Sequence, residues 1–300
     1  MNQDSKAMFD LLEGLGGDEH EHKTTTRELV QKAPFAYPGG KSRSIPHLRK
    51  YIPITGRYVE VFGGSGVHML NRPASKFEVY NDRHGGLIDF YRCVQNPAKL
   101  ESLIAYLDGM LWSREWFLDC RDTWSTSTDQ IERAAKWFYS VQMSFGSQGR
   151  NFGRDLKKTG NKLYGTFSVM QKIHPRLKNV LIENLDWRDC LTDFDHPETI
   201  FYLDPPYMVE TTSGHMYEHQ MTRSNHIELC DRVFNTKGFV AISGYENEIY
   251  SQYPWDQVEM WEVFISMTGM SFTESNNLIG MQDQIKRGNR MERLYIKYAR

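Results

Sequence analysis

The sequence predicts an α/β fold, with a doubly wound, Rossmann-like sheet and a mostly helical insertion. Short β-branched and aromatic runs alternate with stretches whose apolar residues recur at helical spacing, as in parallel sheets covered by helices. In the middle of the chain the helical pattern continues without strands. Three hundred residues, 40% hydrophobic and 25% charged, suit one large globular domain that carries such an insertion.

The strand and helix patterns define three predicted segments. Residues 1–33 are expected to be an acidic, weakly ordered tail, because the first 22 residues hold six acids against one lysine. Residues 34–92 and 179–300 should form the α/β domain, with residues 93–178 as the insertion. The predicted strands are 58–62, 77–81, 180–183, 199–203, 238–243, 258–264 and 294–298.

Helices are predicted wherever apolar residues follow the i, i+3, i+4, i+7 rule. Leu100, Leu103, Leu107 and Leu111 define one helix, and residues 131–138 define another. A helical start follows Gly66, and a further helix is expected near residues 225–235. These stripes indicate core packing and carry no chemistry of their own.

Composition excludes several classes of function. No apolar run approaches the roughly 18–20 residues that cross a bilayer, and the acidic N-terminus lacks a signal-peptide pattern. The four cysteines lie far apart, without the paired spacing of a zinc or redox site. We therefore expect a cytoplasmic protein with reduced thiols, no metal and no membrane partner.

A basic block stands out in a chain whose net charge is only −2. Residues 150–178 contain eight lysines and arginines against one acid. Such a block indicates contact with a polyanion, although a solvated charged loop is the alternative.

Residues 200–207 are the most informative stretch. An apolar run reads as a buried strand and ends in Asp204, Pro205, Pro206 and Tyr207. The carboxyl end of a strand is where open α/β sheets bind ligands. A carboxylate, free carbonyls and a flat ring suit an exocyclic amino group on a planar base; a plain turn with a surface tyrosine is the alternative.

A glycine turn follows the first predicted strand, from Phe62 through Gly63 to Gly66. It permits close approach of a ligand to the backbone. Asp82, sixteen residues past Gly66, ends the next strand, where ribose hydroxyls are bound in related halves. Because the spacing matches neither a dinucleotide fingerprint nor a P-loop, a nucleoside without phosphates is favoured.

A second cluster contains Tyr37, Gly39, Gly40 and Lys41. Two glycines before a lysine could fold a ring and an amine over a ligand. A plain turn before a helix explains the same residues, and spacing alone leaves both readings open.

Together these motifs resemble the Dam-type, D12 class of DNA adenine-N6 methyltransferases, including phage-borne members. The resemblance covers roughly residues 34–300. Five motifs carry it, in one order: Tyr37-x-Gly39-Gly40-Lys41, residues 60–66, Tyr80-Asn81-Asp82, Asp186-Trp187, and residues 204–207. The tyrosine at 37, where the family often has tryptophan, and the doubled glycine at 63 and 64 are small departures.

The resemblance implies S-adenosylmethionine as the methyl donor and a flipped adenine in double-stranded DNA as the acceptor. It also implies that the protein acts in the cytoplasm of a bacterial or phage-infected cell. It implies cofactor contacts from the residues that match: Tyr37, Gly39, Gly40, Lys41, Glu60, Phe62, Gly63, Gly66, Asp82, Asp186, Trp187 and Asp204. Asp204, Pro205 and Tyr207 would form the catalytic motif.

The run 145–154 resembles the base-reading hairpin of the family. Arg150 and Arg154 could read guanine, and Gln148 or Asn151 could read adenine, although phosphate contact is an open alternative for each. Lys157, Lys158 and Lys162 would complete the DNA-binding set through phosphates.

Three other functions remain open at this point. Cytosine-N4 methylation is chemically similar, but an aspartate at 204 rather than a serine favours adenine. A catalytically silent DNA-binding or restriction-partner module would keep the fold, while the intact residues 204–207 and Asp82 argue against it. Methylation of RNA or of a protein amide would keep the cofactor half and change the acceptor. The recognition sequence, the oligomeric state and any paired restriction enzyme do not follow from the sequence.

Overall fold

The computed structural model describes residues 31–153, 163–207, 220–264 and 289–300. Residues 31–300 form one compact unit. The predicted tail therefore falls almost entirely outside the described residues. The boundary predicted at residue 93 lies inside a helix, Gly85–Gln95, and the division into core and insertion stays a prediction.

Seven strands in the described part of the chain form one sheet: β1 Arg57–Glu60, β2 Phe77–Asn81, β3 Val180–Glu183, β4 Thr199–Leu203, β5 Phe239–Gly244, β6 Gln257–Phe264 and β7 Asn289–Lys297. Their order in the sheet is β3-β2-β1-β4-β5-β7-β6. The first five are parallel to their neighbours, whereas β7 runs antiparallel to β5 and β6. The α/β prediction is confirmed.

The strand order places a topological switch point between β1 and β4. From β1 the chain runs outward through β2 to β3, and it returns to pair β4 with the free side of β1. In open α/β sheets ligands bind at the carboxyl ends of the strands at such a point. Glu60 ends β1 and Asp204 follows β4 directly, so the two acids meet at that edge.

Alternation along the strands supplies two cores, one on each face of the sheet. Tyr58, Tyr202 and Ile200 belong to the core beneath the larger helical layer, and Val59 and Phe201 belong to the core on the other face. The larger layer consists of Gly85–Gln95, Pro97–Asp108, Arg114–Thr123, Gln130–Met143 and Tyr164–Leu177. The other face is covered by Trp187–Asp193 and Arg223–Asn235.

Two features differ in extent from the sequence-based prediction. β7 begins at Asn289 rather than at 294, because it pairs with β6 along that whole strand. Helices Arg114–Thr123 and Tyr164–Leu177 lie where glycines and charges obscured the pattern. The other helices among the described residues are Ile45–Tyr51 and Val67–Leu70, with 3₁₀ turns at Trp124–Thr126, Phe145–Ser147 and Tyr250–Gln252.

Candidate active site

A cavity of about 420 Å³ opens at the carboxyl ends of β1, β2 and β4. This volume lies within the range of small-molecule sites. Eleven of the twelve predicted cofactor residues line it, and Gly66 does not. Of the predicted catalytic residues, Asp204 lines the cavity. Pro205, the next residue, is buried. Tyr207 does not line the cavity, but its hydroxyl accepts a hydrogen bond from Lys41, which does.

The glycine turn after β1 is held by groups from both sides. The phenol of Tyr80 donates to the carbonyl of Gly64 at 2.5 Å, and Tyr91 donates to the carbonyl of Ser65 at 2.5 Å. A Cβ atom at Gly63 would lie 2.2 Å from the ring of Tyr80, which excludes any larger residue there without a shift. Gly64 and Gly66 have φ angles of 50° and 62°, the left-handed region that favours glycine.

Asp82 ties the end of β2 to this turn. Its Oδ2 accepts the backbone N–H of Gly64 at 2.9 Å, and its Oδ1 accepts that of His84 at 2.8 Å. Each carboxylate oxygen has two lone pairs, so each can accept more than one hydrogen bond. The carboxylate lines the cavity, and its orientation is fixed by backbone on two sides.

The segment from Tyr37 to Lys41 forms a tight turn over the opposite wall. The N–H of Gly40 donates to the carbonyl of Tyr37 at 3.0 Å, and Gly39 has a φ of 74°. A Cβ atom at Gly64 would lie 3.1 Å from the ring of Tyr37. The ring of Tyr37 therefore lies against the glycine turn after β1. The turn from Tyr37 to Lys41 places the Lys41 side chain in the site.

Lys41 lies at the centre of a buried charged cluster. Its Nζ is 2.8 Å from Asp204 Oδ1 and 3.3 Å from Glu292 Oε1. It also donates to the hydroxyl of Tyr207 at 2.6 Å and to the carbonyl of Gly39 at 3.1 Å. The hydroxyl of Tyr207 donates in turn to Glu292 Oε1 at 2.5 Å. Two acids and one lysine thus share a site that is largely closed to water.

Burial and two neighbouring charges perturb the pKa of Asp204. Burial raises its pKa to about 6, while Lys41 lowers this pKa and Glu292 raises it. An acid with a pKa perturbed by burial and specific charges, in a cleft, is typical of functional sites.

Glu60 lines the cavity and is held by a tyrosine hydroxyl and a backbone N–H. Its Oε2 accepts the hydroxyl of Tyr58 and the N–H of Met69, both at 3.0 Å. Burial raises the pKa of Glu60 to about 8, and these hydrogen bonds lower it. Tyr58 also bonds Nδ1 of His68 at 2.7 Å, and burial lowers the pKa of His68 to about 3, so its ring is neutral.

Asp186 and Trp187 close the far end of the cavity. Asp186 is the N-cap of the helix Trp187–Asp193, with its side chain accepting from the N–H of Arg188. Trp187 is buried, and the Arg188 guanidinium lies 4.3 Å from its ring centroid. Glu228 binds Arg188 through two hydrogen bonds of 2.7 and 2.6 Å, which fixes the stack.

The predicted base-reading run forms a closed loop. Ser144 and Phe152 make an antiparallel bridge, and the N–H of Phe145 donates to the carbonyl of Asn151 at 2.7 Å. Gln148, Arg150 and Asn151 are exposed on this loop. Arg154, Lys157, Lys158 and Lys162 lie outside the described residues, so their predicted role stays a prediction.

Glu292 is the site residue that sequence reasoning missed. It is 4% exposed and comes from β7, the antiparallel strand near the sheet edge. The signal was an acid in register with Leu294 and Ile296, which places it on the same face as buried apolar residues. Strand alternation alone did not reveal that this face reaches Lys41.

The described part of the chain contains neither a metal-binding cluster nor a membrane-spanning helix. No group of three or more histidine, cysteine or acidic residues there could hold a metal ion. Among the helices that the structure describes, none is long and apolar enough to span a bilayer.

Comparison with known proteins agrees with this geometry. The model of the D12 class N6 adenine-specific DNA methyltransferase family matches residues 37–260. The modification methylase StsI of Streptococcus sanguinis is 23% identical over 206 residues, covering 63% of this chain and 30% of that protein. The DNA N-6-adenine-methyltransferase of Escherichia phage P1 is 25% identical over 139 residues, covering 45% of this chain and 18% of that protein.

The chain spans less than a third of the length of these two relatives. The family match nevertheless covers well over half of this chain and contains both the turn at Lys41 and the segment at Asp204. The chain therefore belongs to the D12 class N6 adenine-specific DNA methyltransferase family.

Proposed function

We propose that this protein transfers a methyl group from S-adenosylmethionine to the exocyclic N6 of adenine in double-stranded DNA. The observation that carries the proposal is the position of Asp204. Its carboxylate follows β4, lines the same cavity as the glycine turn, and is held by Lys41 at 2.8 Å. Family membership supports the same chemistry.

The residues present fit S-adenosylmethionine. Three features of the cavity suit it: a glycine turn that a ligand can approach closely, a fixed carboxylate at Asp82 for ribose hydroxyls, and acidic walls for a cation. Asp186 and Trp187, at the other end, would hold the cofactor's adenine. When bound, the cofactor supplies a methyl group on a positively charged sulfur.

Adenine N6 is a poor nucleophile because its lone pair is delocalised into the ring. Asp204 and the carbonyl of Pro205 would each accept one N–H bond from this amine, which favours a pyramidal nitrogen with a localised lone pair. Positioning and electrostatics then supply most of the rate, by direct in-line transfer. Asp204 takes the proton after the nitrogen has been methylated, so a strong base is not required.

A base inside a duplex cannot reach a cavity at a sheet edge. The target must be extruded, at a cost of a few kcal/mol, and stacking on Tyr207 would offset part of that cost. The exposed loop that carries Gln148, Arg150 and Asn151 would contact the surrounding DNA.

Transfer of labelled methyl from S-adenosylmethionine to duplex DNA tests the proposal directly. We expect wild-type activity on adenine-containing duplexes and a loss of at least about 10²–10³-fold in Asp204→Ala, with DNA affinity within a few-fold. Asp193→Ala is the matched control, because Asp193 is an exposed acid on the neighbouring helix Trp187–Asp193.

Two results would contradict the proposal. One is near-normal turnover by cofactor-saturated Asp204→Ala. The other is label that appears in cytosine, in RNA or in protein, and not in adenine of duplex DNA.

A further inference from the structure

We infer that Glu292 is a positioning residue that receives the Lys41 ammonium when a substrate amine takes its place on Asp204. The inference rests on the proposed function for the identity of that amine. Glu292 lies beyond residues 37–260, which the family model matches, and it comes to the site from β7.

A count of donors and acceptors motivates the exchange. A lysine ammonium has three N–H donors, whereas Lys41 Nζ faces four acceptors within 3.3 Å: Gly39 O, Tyr207 Oη, Asp204 Oδ1 and Glu292 Oε1. One acceptor therefore shares a donor or lacks one. Asp204 holds the ammonium at 2.8 Å and Glu292 at 3.3 Å, so the two carboxylates compete for it.

Arrival of the substrate amine would relieve this competition. An N–H of the amine would satisfy Asp204, so Gly39 O, Tyr207 Oη and Glu292 Oε1 would remain as acceptors of the Lys41 ammonium among the described residues. The ammonium would need to shorten only its existing 3.3 Å contact to Glu292. No charge has to be created or returned to solvent in a site where Lys41 and Glu292 are 6% and 4% exposed.

Glu292 would also keep Tyr207 in place during the exchange. The Tyr207 hydroxyl donates to Glu292 at 2.5 Å and accepts from Lys41 at 2.6 Å. Both contacts persist when Lys41 moves towards Glu292, so the ring stays where it can stack on the base. Without the negative charge of Glu292, the ammonium would remain on Asp204 and compete with the substrate amine.

The charges that face Asp204 set the sign of the expected pH effect. Lys41 lowers its pKa and Glu292 raises it; Tyr207 also lowers it, and Glu60 is a further acid close enough to interact with Asp204. Removing the Glu292 charge should therefore lower the pKa of Asp204 below about 6. A purely structural defect would not be expected to move the acid limb of the pH–rate profile to lower pH.

The main test is Glu292→Gln, which keeps an acceptor for Tyr207 and removes the charge. We expect kcat/KM for duplex DNA to fall about tenfold, cofactor affinity to stay within twofold, and the acid limb of the rate profile to move to lower pH. Glu262→Gln is the control, because Glu262 is an exposed acid on the adjacent strand β6 and should behave as wild type.

A double-mutant cycle with Lys41→Met separates the exchange from simple loss of structure. If Glu292 acts through Lys41, adding Glu292→Gln to Lys41→Met should change kcat/KM by less than about twofold. Additive losses, an unmoved acid limb or wild-type kinetics in Glu292→Gln would each overturn the inference.

Folding of each variant is checked by thermal melting and cofactor titration. Should Glu292→Gln not fold, Glu292→Asp draws the carboxylate back by one methylene and should shift the acid limb in the same direction by a smaller amount; no shift there overturns the inference. Titration of the Asp204 carboxyl by carbon NMR in the free protein needs no substrate, so it tests the Glu292 coupling even if wild-type protein fails to methylate DNA and the proposed function falls.

Discussion

The edge of the sheet around Asp204 and the loop 144–152 are built in opposite ways. At the sheet edge the side chains of the candidate site are buried or half-buried and make several polar contacts. Lys41, for example, contacts two carboxylates and a phenol. On the loop, contacts that fix the chain lie at its base: the bridge of Ser144 with Phe152 and the hydrogen bond from Phe145 N–H to the carbonyl of Asn151. The side chains of Gln148, Arg150 and Asn151 are exposed.

This difference matches what the two regions would have to do. Methyl transfer requires fixed distances and controlled charge, which burial and multiple hydrogen bonds supply. Reading DNA requires polar side chains that adapt to phosphates or base edges. An exposed loop whose two ends are held together by backbone hydrogen bonds supplies such side chains. Substitutions at the sheet edge should therefore change stability, pH dependence or cofactor binding, whereas substitutions on the loop should change DNA binding alone.

Glu60→Gln should give the largest effect on stability. Burial raises the pKa of Glu60 from 4.5 to about 8 in the folded protein, so the folded state holds a proton that the unfolded state has lost. The stability that this proton confers is complete below pH 4.5 and disappears as the pH rises through about 8. At about 1.4 kcal/mol per pH unit, the wild type should lose about 3 kcal/mol by pH 7 that glutamine does not lose.

Urea unfolding of wild type and Glu60→Gln from pH 5 to pH 9 measures this difference. The two free energies of unfolding should diverge as the pH rises, with Glu60→Gln the more stable. Glu262→Gln controls for the loss of an acid at an exposed position. Parallel curves for wild type and Glu60→Gln would show that Glu60 is not a buried, proton-binding carboxyl.

Asp82→Asn should act on the cofactor, with a smaller effect. The amide keeps one acceptor oxygen but replaces the other with a donor, so it opposes one of the N–H groups of Gly64 and His84 and weakens any bond to a ribose. We expect the affinity for S-adenosylmethionine to fall by about 1.5–3 kcal/mol, the range of one charged hydrogen bond.

Calorimetric titration with S-adenosylmethionine is the measurement for Asp82→Asn, and Arg150→Ala is the contrasting variant from the loop. Arg150→Ala should bind the cofactor as wild type does. Equal cofactor affinity in all three proteins would remove Asp82 from the cofactor site.

The parts of the molecule that the sequence predicted share one property: their signal is local. The β4 run ending in Asp204 and the glycine turn after β1 each lie within a few residues, and the parallel order of their strands brings them together. The family resemblance then supplied the predicted roles of Lys41 and Trp187, which spacing alone left undecided and which stay predictions.

Glu292 could not be predicted in the same way, because its signal is not local. It lies 251 residues from Lys41, as their numbers show, on the antiparallel strand β7 that enters the sheet beside β5. The alternation of side chains along a strand shows which face of the sheet Glu292 occupies. It does not show which side chains from distant parts of the chain lie against that face. The extent of β7 was missed for a related reason: its first residues are polar and are strand because they pair with β6.

Arg150→Ala should give the smallest effect, a change in DNA binding. It tests most directly whether the loop 144–152 acts independently of the sheet edge. Arg150 is exposed, and its carbonyl is held by Arg121 at 3.1 Å, so truncating the side chain leaves the loop closure in place. If Arg150 contacts a phosphate, affinity should fall a few-fold on every duplex and the salt slope should fall by about one unit. If it reads a base, the loss should be about 1–3 kcal/mol at one position of the preferred site.

Binding to cognate and scrambled duplexes at several salt concentrations separates the two kinds of contact. The control is Lys237→Ala, because Lys237 is an exposed lysine before β5. Since neither contact touches the charged cluster, the acid limb of methyl transfer should not move. A shift in that limb would mean that the loop and the sheet edge are coupled, and the contrast between the two regions would fail.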